Sequence, residues 1–283
     1  MTILVFGKTG QLARELAAYA SVTCLGRAAA DLSDPAACGA VIRAMGPKAV
    51  INAAAFTAVD KAEAEEALAT RVNAQAPGVM AETCAGLGIP FVSISTDYVF
   101  DGAGSAPWKP DDPTAPKSAY GRSKLAGERT VTAAGGAVLR TSWVVSAHGS
   151  NFVRTMLRLG ADRAHLDIVA DQIGGPTCAR DLAGACVTMA KTLVSEPDKR
   201  GIYHFSGGPD VSWADFAREI FRQAGIPCEV NDIVSSQYPT PAVRPLNSRL
   251  DCATFATSFG IKRPEWRVGL GEILQDLKEL QDD

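Results

Sequence analysis

Short apolar runs of strand-forming residues alternate through the first half of the chain with stretches of helical period: Ile3–Phe6, then 11–20, Ala49–Asn52, then 62–87, then 91–95. Strands buried on both faces and separated by helices pair in parallel beneath those helices, so the alternation predicts an α/β fold with a Rossmann-like, doubly wound parallel sheet. Gly86 and Gly88 stand where the second long helix should end, and Pro90 blocks its continuation. A helix over 118–132 and a strand over 137–139 follow. Beyond Ser142 the pattern loosens and turns become frequent. Residues 1–144 are therefore expected to form a nucleotide-binding domain, and 145–283 mainly a smaller C-terminal substrate domain. Residues 201–205 again read as a buried strand, a return of the chain to the main sheet near 201–206. After it, Ser212-Trp213-Ala214-Asp215 should open a helix with a capping box. The two domains are thus expected to interleave.

The 283 residues, 47% hydrophobic and 21% charged, supply a core that needs no covalent staples. A net charge of -3 leaves no electrostatic footprint for nucleic acid or an anionic membrane, so neither is an expected partner. The apolar run at the start has no basic residues before it and is too short to span a bilayer. Seven scattered cysteines without a C-x-x-C pair point to reduced thiols and a cytoplasmic protein. The three histidines, His148, His165 and His204, lie far apart without metal-ligand spacing. Neither a zinc site nor a Ser-His-Asp triad is indicated.

The first turn, Gly7-Lys8-Thr9-Gly10-Gln11-Leu12-Ala13, follows a strand and opens a helix, where a dinucleotide pyrophosphate meets helix N-terminal amides. Its spacing, G-x-x-G-x-x-A, departs from G-x-G-x-x-G and also suits an ordinary strand-to-helix turn. About 20 residues on, a site for NAD usually places an acid on the ribose. Here Gly26-Arg27 stands instead, and an arginine can pair with a 2′-phosphate, which favours NADPH with NADH still possible. A solvated loop arginine is the plainer alternative. Asp31, beside Leu32, can cap a turn or touch the adenine end. Asn52-Ala53-Ala54-Ala55 ends an apolar strand, and small side chains there let a flat cofactor lie against the backbone or simply pack a core.

Tyr120 and Lys124, four apart, share one helical face. A free phenol has a pKa of about 10, and an adjacent ammonium is expected to lower it, fitting the tyrosine for general acid work. Thr96, at another strand end, is placed to bind the same substrate oxygen. These residues, with Gly7 to Ala13, resemble the extended short-chain dehydrogenase/reductase pattern. Longer strings narrow the likeness: 52–63, 95–100, Arg140-Thr141-Ser142-Trp143-Val144, 171–177 and 238–250 resemble the dTDP-4-dehydrorhamnose reductase family over essentially the whole chain.

That resemblance implies reduction of the C4 keto group of dTDP-4-dehydro-β-L-rhamnose, the last step of dTDP-L-rhamnose formation. It implies Tyr120 as proton donor, Lys124 as its support and a ligand of the nicotinamide ribose, and Thr96 orienting the ketone. Cofactor contacts are expected from Gly7, Gly10, Gln11 and Leu12, from Arg27, Asp31 and Leu32, and from Ala53, Ala54, Ala55 and Thr57. Asp97 and Trp143 fall where the family contacts the sugar, though a turn cap and a core aromatic describe them equally. Asn151, Arg244 and Asn247 are weaker candidates for the nucleotide diphosphate, and Arg244 also reads as a surface arginine. Some family members bridge a dimer through magnesium held by three glutamates. Glu15 matches the first, but Arg180 stands at the second position and Asp276 at the third, which makes bridging magnesium doubtful and leaves monomer or homodimer open. A reductase of another nucleotide-linked 4-keto sugar shares all these features. A non-catalytic NADP-binding subunit resembling the methionine adenosyltransferase regulatory protein shares the fold.

Overall fold

The computed structural model describes residues 1–282. Five strands, β1 (Ile3–Phe6), β2 (Val22–Leu25), β3 (Ala49–Asn52), β4 (Phe91–Thr96) and β5 (Ala137–Thr141), form one parallel sheet with Ile202–His204. The order runs from Ile202–His204 through β5, β4, β3 and β1 to β2. β1, β3 and β5 are buried along their whole length, as parallel strands covered on both faces must be. Ile202–His204 pairs with Val138–Arg140, so the late strand does rejoin the main sheet. The strand order reverses between β1 and β3, and the carboxyl ends of the strands at such a switch point are the usual ligand position in this architecture.

The helices are α1 (Gln11–Leu16), α2 (Pro35–Met45), α3 (Val59–Ala64), α4 (Glu66–Thr70), α5 (Ala76–Gly86) and α6 (Ala119–Ala133), then α7 (Phe152–Asp162), α8 (Ala179–Ser195), α9 (Trp213–Ala224), α10 (Ala253–Phe259) and α11 (Trp266–Asp282). One apolar layer packs α1, α8 and α10 against one face of the sheet, through Leu12, Leu16, Leu182, Cys186, Met189 and Phe255. A second layer, with Ile42, Met80, Cys84 and Val131, covers the other face from α2, α5 and α6. A separate core around Phe216, Ile220, Trp266 and Leu270 lies among α7, α9 and α11. All seven cysteines are free thiols.

Several boundaries differ from expectation. The helix over 11–20 stops at Leu16, where Tyr19 N donates to Leu16 O and Val22 N to Tyr19 O in turns leading into β2. The helix over 62–87 is not continuous. It breaks at Glu65, resumes as α4 and passes through a π-helical turn, Arg71–Gln75, before α5. A π-turn inserts one residue into the helical register and breaks the 3.6 period on which a sequence count depends. At 118–132, Ser118 is the cap and not the first helical residue: its Oγ accepts from Gly121 N at 3.1 Å. Ser212 caps α9 by accepting from Asp215 N at 2.9 Å, but the reciprocal arm differs from a capping box, since the Ser212 hydroxyl donates to Asp215 Oδ2 at 2.8 Å.

Candidate active site

Gly7 ends β1 with φ +124°, and a Cβ there would lie 3.3 Å from Ala13 Cβ and 3.4 Å from the Ala53 carbonyl carbon. Both conformation and space demand glycine, so the backbones of the first turn and of β3 approach closely. Nothing lies within 4 Å of the Cβ position of Gly10, which precedes α1 without a side-chain cap. Leu12 and Leu32 are buried in the layers on opposite faces of the sheet and support the switch point from within the core. Gln11 turns aside: its Nε2 donates to Val144 O at 3.2 Å, while its Oε1 accepts from Ser146 Oγ at 3.0 Å and Asn151 Nδ2 at 2.9 Å. Asn151 caps α7 through its Oδ1, so its amide is committed at both ends. Gln11 and Asn151, expected in separate roles, join the start of α1 to the start of α7.

Ala53, Ala54 and Ala55 are half-buried and Thr57 is exposed on the loop leaving β3. That loop is held by Asn73, which sequence reasoning missed. Its Oδ1 accepts from Phe56 N at 2.8 Å, and its Nδ2 donates to Phe56 O at 3.1 Å and to Ser123 Oγ at 2.9 Å. Asn73 thus ties the β3 loop to α6 from within the π-turn, a position no periodicity marks. At the end of β2, the Arg27 side chain is 80% exposed and pairs with Asp31 at 3.0 Å. An exposed pair of this kind is worth little and readily exchanges its anion. The Ser33 backbone and then Arg27 hold the Asp31 carboxyl below its ordinary range.

β4 delivers Thr96 and Asp97, and the first turns of α6 deliver Tyr120 and Lys124. Thr96 Oγ1 donates to Asp97 Oδ1 at 2.9 Å and accepts from Tyr98 N at 3.3 Å, and it is the group that opposes the rise of the Tyr120 phenol. The Tyr98 and Tyr120 rings meet edge to face at 5.5 Å. The expected lowering of the phenol by Lys124 does not appear in this geometry. The ammonium donates instead to the Ile94 carbonyl at 2.6 Å. Burial raises Tyr120 above its ordinary value, opposed by the Thr96 hydrogen bond, with no contribution from Lys124. Burial also brings Lys124 down to about 8, opposed by the charge of Glu128. Spacing of four places two side chains on one face but does not aim one at the other. The phenol therefore keeps its proton at neutral pH, as a general acid must.

Burial likewise pushes Asp97 up to about 6, with hydrogen bonds to Ser248 and Thr96 opposing. Asp97 Oδ2, Ser95 Oγ, Thr141 Oγ1 and Asn52 Nδ2 are buried polar atoms without a partner. Such atoms are costly to leave unpaired, and these four gather at the carboxyl ends of β3, β4 and β5, where a polar ligand would satisfy them. Trp143 has φ +48° and stacks on Trp213 with centroids 3.5 Å apart. Non-glycine residues held in this region concentrate at ligand sites.

Arg244 Nη2 donates to Asp60 Oδ2 at 2.7 Å, and the same carboxylate accepts from Ala242 N at 3.1 Å, anchoring the 238–246 segment to α3. The Asn247 amide is spent on Ala103 O at 3.3 Å and Ala106 O at 2.9 Å, and it is Ser248, its neighbour, whose hydroxyl counters the rise of the Asp97 carboxyl. Arg180 donates to Glu15 at 3.5 Å, Glu272 at 3.1 Å and Asp276 at 2.6 Å. Glu272, unforeseen, completes a carboxylate cluster around a guanidinium.

The profile of the family described as the RmlD substrate binding domain matches residues 1–279. The chain belongs to this family. Its sequence is 45% identical over 278 residues to a dTDP-4-dehydrorhamnose reductase of Sinorhizobium fredii, spanning 94% of each chain. A crystal structure of a dTDP-4-dehydrorhamnose reductase from Clostridium acetobutylicum superposes with a TM-score of 0.90 at 36% identity, covering 98% of this chain and 100% of that one. The corresponding protein of Bacillus anthracis in complex with NADP gives 0.90 at 31% identity with the same coverage. The resemblance read from the RmlD-like motifs holds over the whole length.

Proposed function

We propose that the protein reduces the C4 keto group of dTDP-4-dehydro-β-L-rhamnose to give dTDP-β-L-rhamnose, with NADPH as reductant. The observation that carries this reading is the set of Thr96, Tyr120 and the buried Lys124 at the carboxyl end of β4 and on α6, in the same parallel sheet whose first strand runs into the close-approach turn at Gly7. The relatives named for this reaction, one of them bound to NADP, support it. The Gly7 cradle and the unpartnered atoms at the strand ends suit a dinucleotide and a sugar lying across the switch point.

NADPH, when bound, supplies the hydride. Thr96 holds the ketone oxygen, and Tyr120 gives its phenolic proton to that oxygen as the keto carbon is reduced. Lys124, held on the Ile94 carbonyl, would reach the nicotinamide ribose when NADPH is bound and steady by its charge the phenolate left behind. Gly7, Gly10 and Ala53 to Ala55 would carry the cofactor backbone, with Arg27 at its 2′-phosphate. Asp97 and Trp143 face the sugar and Arg244 the nucleotide diphosphate. Gln11, Asn151 and Asn247, whose amides are already engaged, shape the walls of the site. Residues 1–144 with Ile202–His204 act as the cofactor domain, and the remainder mainly as the substrate domain. We place the reaction in the cytoplasm; no helix among the described residues is long and apolar enough to cross a membrane. The protein acts as a monomer or homodimer without a bridging metal, since Arg180 occupies the centre of the carboxylates that would hold one.

Purified protein should oxidise NADPH only when the dTDP-4-keto sugar is added. Tight binding of a partner enzyme without turnover would instead favour the regulatory-subunit reading. NADPH should serve at least as well as NADH, and Arg27→Ala should weaken NADPH more than NADH, because only NADPH has a 2′-phosphate to lose. A clear preference of the wild type for NADH in steady-state kinetics, or equal losses in the variant, would refute that role. Turnover should survive extensive chelation of divalent ions. A loss that magnesium restores would count against the Arg180 assignment.

A further inference from the structure

Two charged residues away from the reacting centre are almost wholly buried: Glu128, one turn past Lys124 on α6, and Arg140, on β5. Arg140 holds the carboxylate with a fork, Nε to Oε1 at 2.9 Å and Nη2 to Oε2 at 2.7 Å. Its remaining nitrogen, Nη1, donates to Pro110 O at 3.1 Å and to His204 Nε2 at 3.2 Å. A guanidinium only donates, so His204 accepts on Nε2 and carries its proton on Nδ1, which donates to Trp108 O at 3.0 Å. Burial, with the charge of Arg140, holds His204 down to about 3, and the ring is neutral. Arg140 also lies 4.9 Å from the centroid of Phe100, which stacks on Trp108 at 4.6 Å.

From Trp108 the connection reaches the substrate side. Trp108 Nε1 donates to Asn247 O at 3.1 Å, Trp108 N to Arg249 O at 2.9 Å, and Asp251 N to Trp108 O at 2.8 Å. Ser248 lies within that clasped segment, and its hydroxyl is among the groups that lower the Asp97 carboxyl, which itself receives the Thr96 hydroxyl. The hydrogen-bonded network therefore starts one helical turn from Lys124 and ends at the 247–251 segment beside Asp97. A buried ion pair stabilises a fold no better than apolar side chains of similar volume, so stability alone gives no reason for this one.

We propose that Glu128 and Arg140 are positioning residues for the reduction, clamping the helix that carries Tyr120 and Lys124 to Trp108 and through it to the 247–251 segment, and setting a negative charge one turn from the Lys124 ammonium. This rests on the reductase reading above. The other charges on elements packed against α6 are engaged or turned away. Glu63 accepts from Ala119 N, Glu66 pairs with Arg122, Asp60 pairs with Arg244, and Arg71 and Glu82 are exposed. Asp97 acts on the Tyr120 phenol, and Arg140 faces Glu128. Glu128 is thus the charge that favours the protonated form of Lys124. Taking it away lowers the pH at which the ammonium is lost.

The test is the double variant Glu128→Leu/Arg140→Met, which removes both charges together and keeps apolar volume. It should remain folded while kcat falls roughly ten- to a hundredfold, the scale of a misplaced catalytic group, with a smaller change in KM for NADPH. The alkaline limb of kcat/KM should move to lower pH. Arg140→Lys, which keeps the charge without the fork, should fall between wild type and double variant, and it gives the answer if the double variant fails to fold. Wild-type kcat in Arg140→Lys, or wild-type kcat with an unmoved alkaline limb in the folded double variant, overturns the proposal. NADPH affinity is titrated against pH in the same proteins by cofactor fluorescence, and its alkaline limb should move down likewise. Absence of dTDP-sugar turnover in the wild type would then count against the reductase reading alone, and an unmoved NADPH titration against the network.

Discussion

Tyr120→Phe is expected to lower kcat by about 10²–10⁴-fold, the usual contribution of a positioned general acid, while NADPH still binds with near wild-type affinity. The phenol touches Thr96 and packs edge to face on Tyr98, and phenylalanine keeps the ring contact while removing the proton. Lys124→Ala should differ in kind. It deletes a buried ammonium held on the Ile94 carbonyl, and with it the proposed contact to the nicotinamide ribose, so NADPH affinity should fall together with kcat. Because both side chains serve one proton transfer, the losses should combine to clearly less than their sum in free energy. Steady-state kinetics with parallel NADPH fluorescence titrations separates the two effects. Near-normal turnover by Tyr120→Phe would remove the proton donor from the mechanism.

Arg140→Met alone should cost about 3–5 kcal/mol of folding stability, because it strands the Glu128 carboxylate in the interior without its fork. The charge of Glu128 then has neither water nor its hydrogen-bonded partner, and the Pro110 carbonyl and His204 Nε2 lose a donor at the same time. Urea or guanidinium unfolding should show the loss as a lower midpoint, with Glu128→Leu/Arg140→Met recovering most of it. A single variant as stable as the wild type would mean that the pair is solvated or replaced by water in the folded state.

Much of the sheet is legible in the sequence because β1, β3 and β5 are sealed on both faces, and Ile3–Phe6 and Ala49–Ile51 are uninterrupted apolar runs for that reason. The edge strand β2, half-buried and with Thr23 exposed, has no such run and is not legible. The return at Ile202–His204, half-buried at Ile202 and Tyr203, is legible from its strand-forming residues alone. The long helix over 62–87 is misread because Asn73 sits in a π-turn that shifts the register without any unusual composition, and that turn is what lets its amide reach both Phe56 and Ser123. In the candidate site, Thr96, Tyr120 and Lys124 are found by spacing, but the direction of the ammonium depends on where β4 offers a carbonyl, and no spacing encodes it. Arg140 enters the sequence reading only within the string 140–144 and Glu128 not at all, because neither period nor spacing shows that each is the other's buried counter-ion. Arg180 is found by its departure from a motif, yet Glu272, from a third helix, becomes visible only in three dimensions.

The most direct test of the central claim is hydride tracing in the purified wild-type protein. NADPH deuterated at the transferable position of the nicotinamide is supplied with dTDP-4-dehydro-β-L-rhamnose, and the product is examined by NMR and mass spectrometry. The account predicts dTDP-β-L-rhamnose carrying one deuterium at C4 of the sugar, with one NADPH oxidised per product formed. No deuterium at C4, or no product while NADPH remains tightly bound, would contradict it.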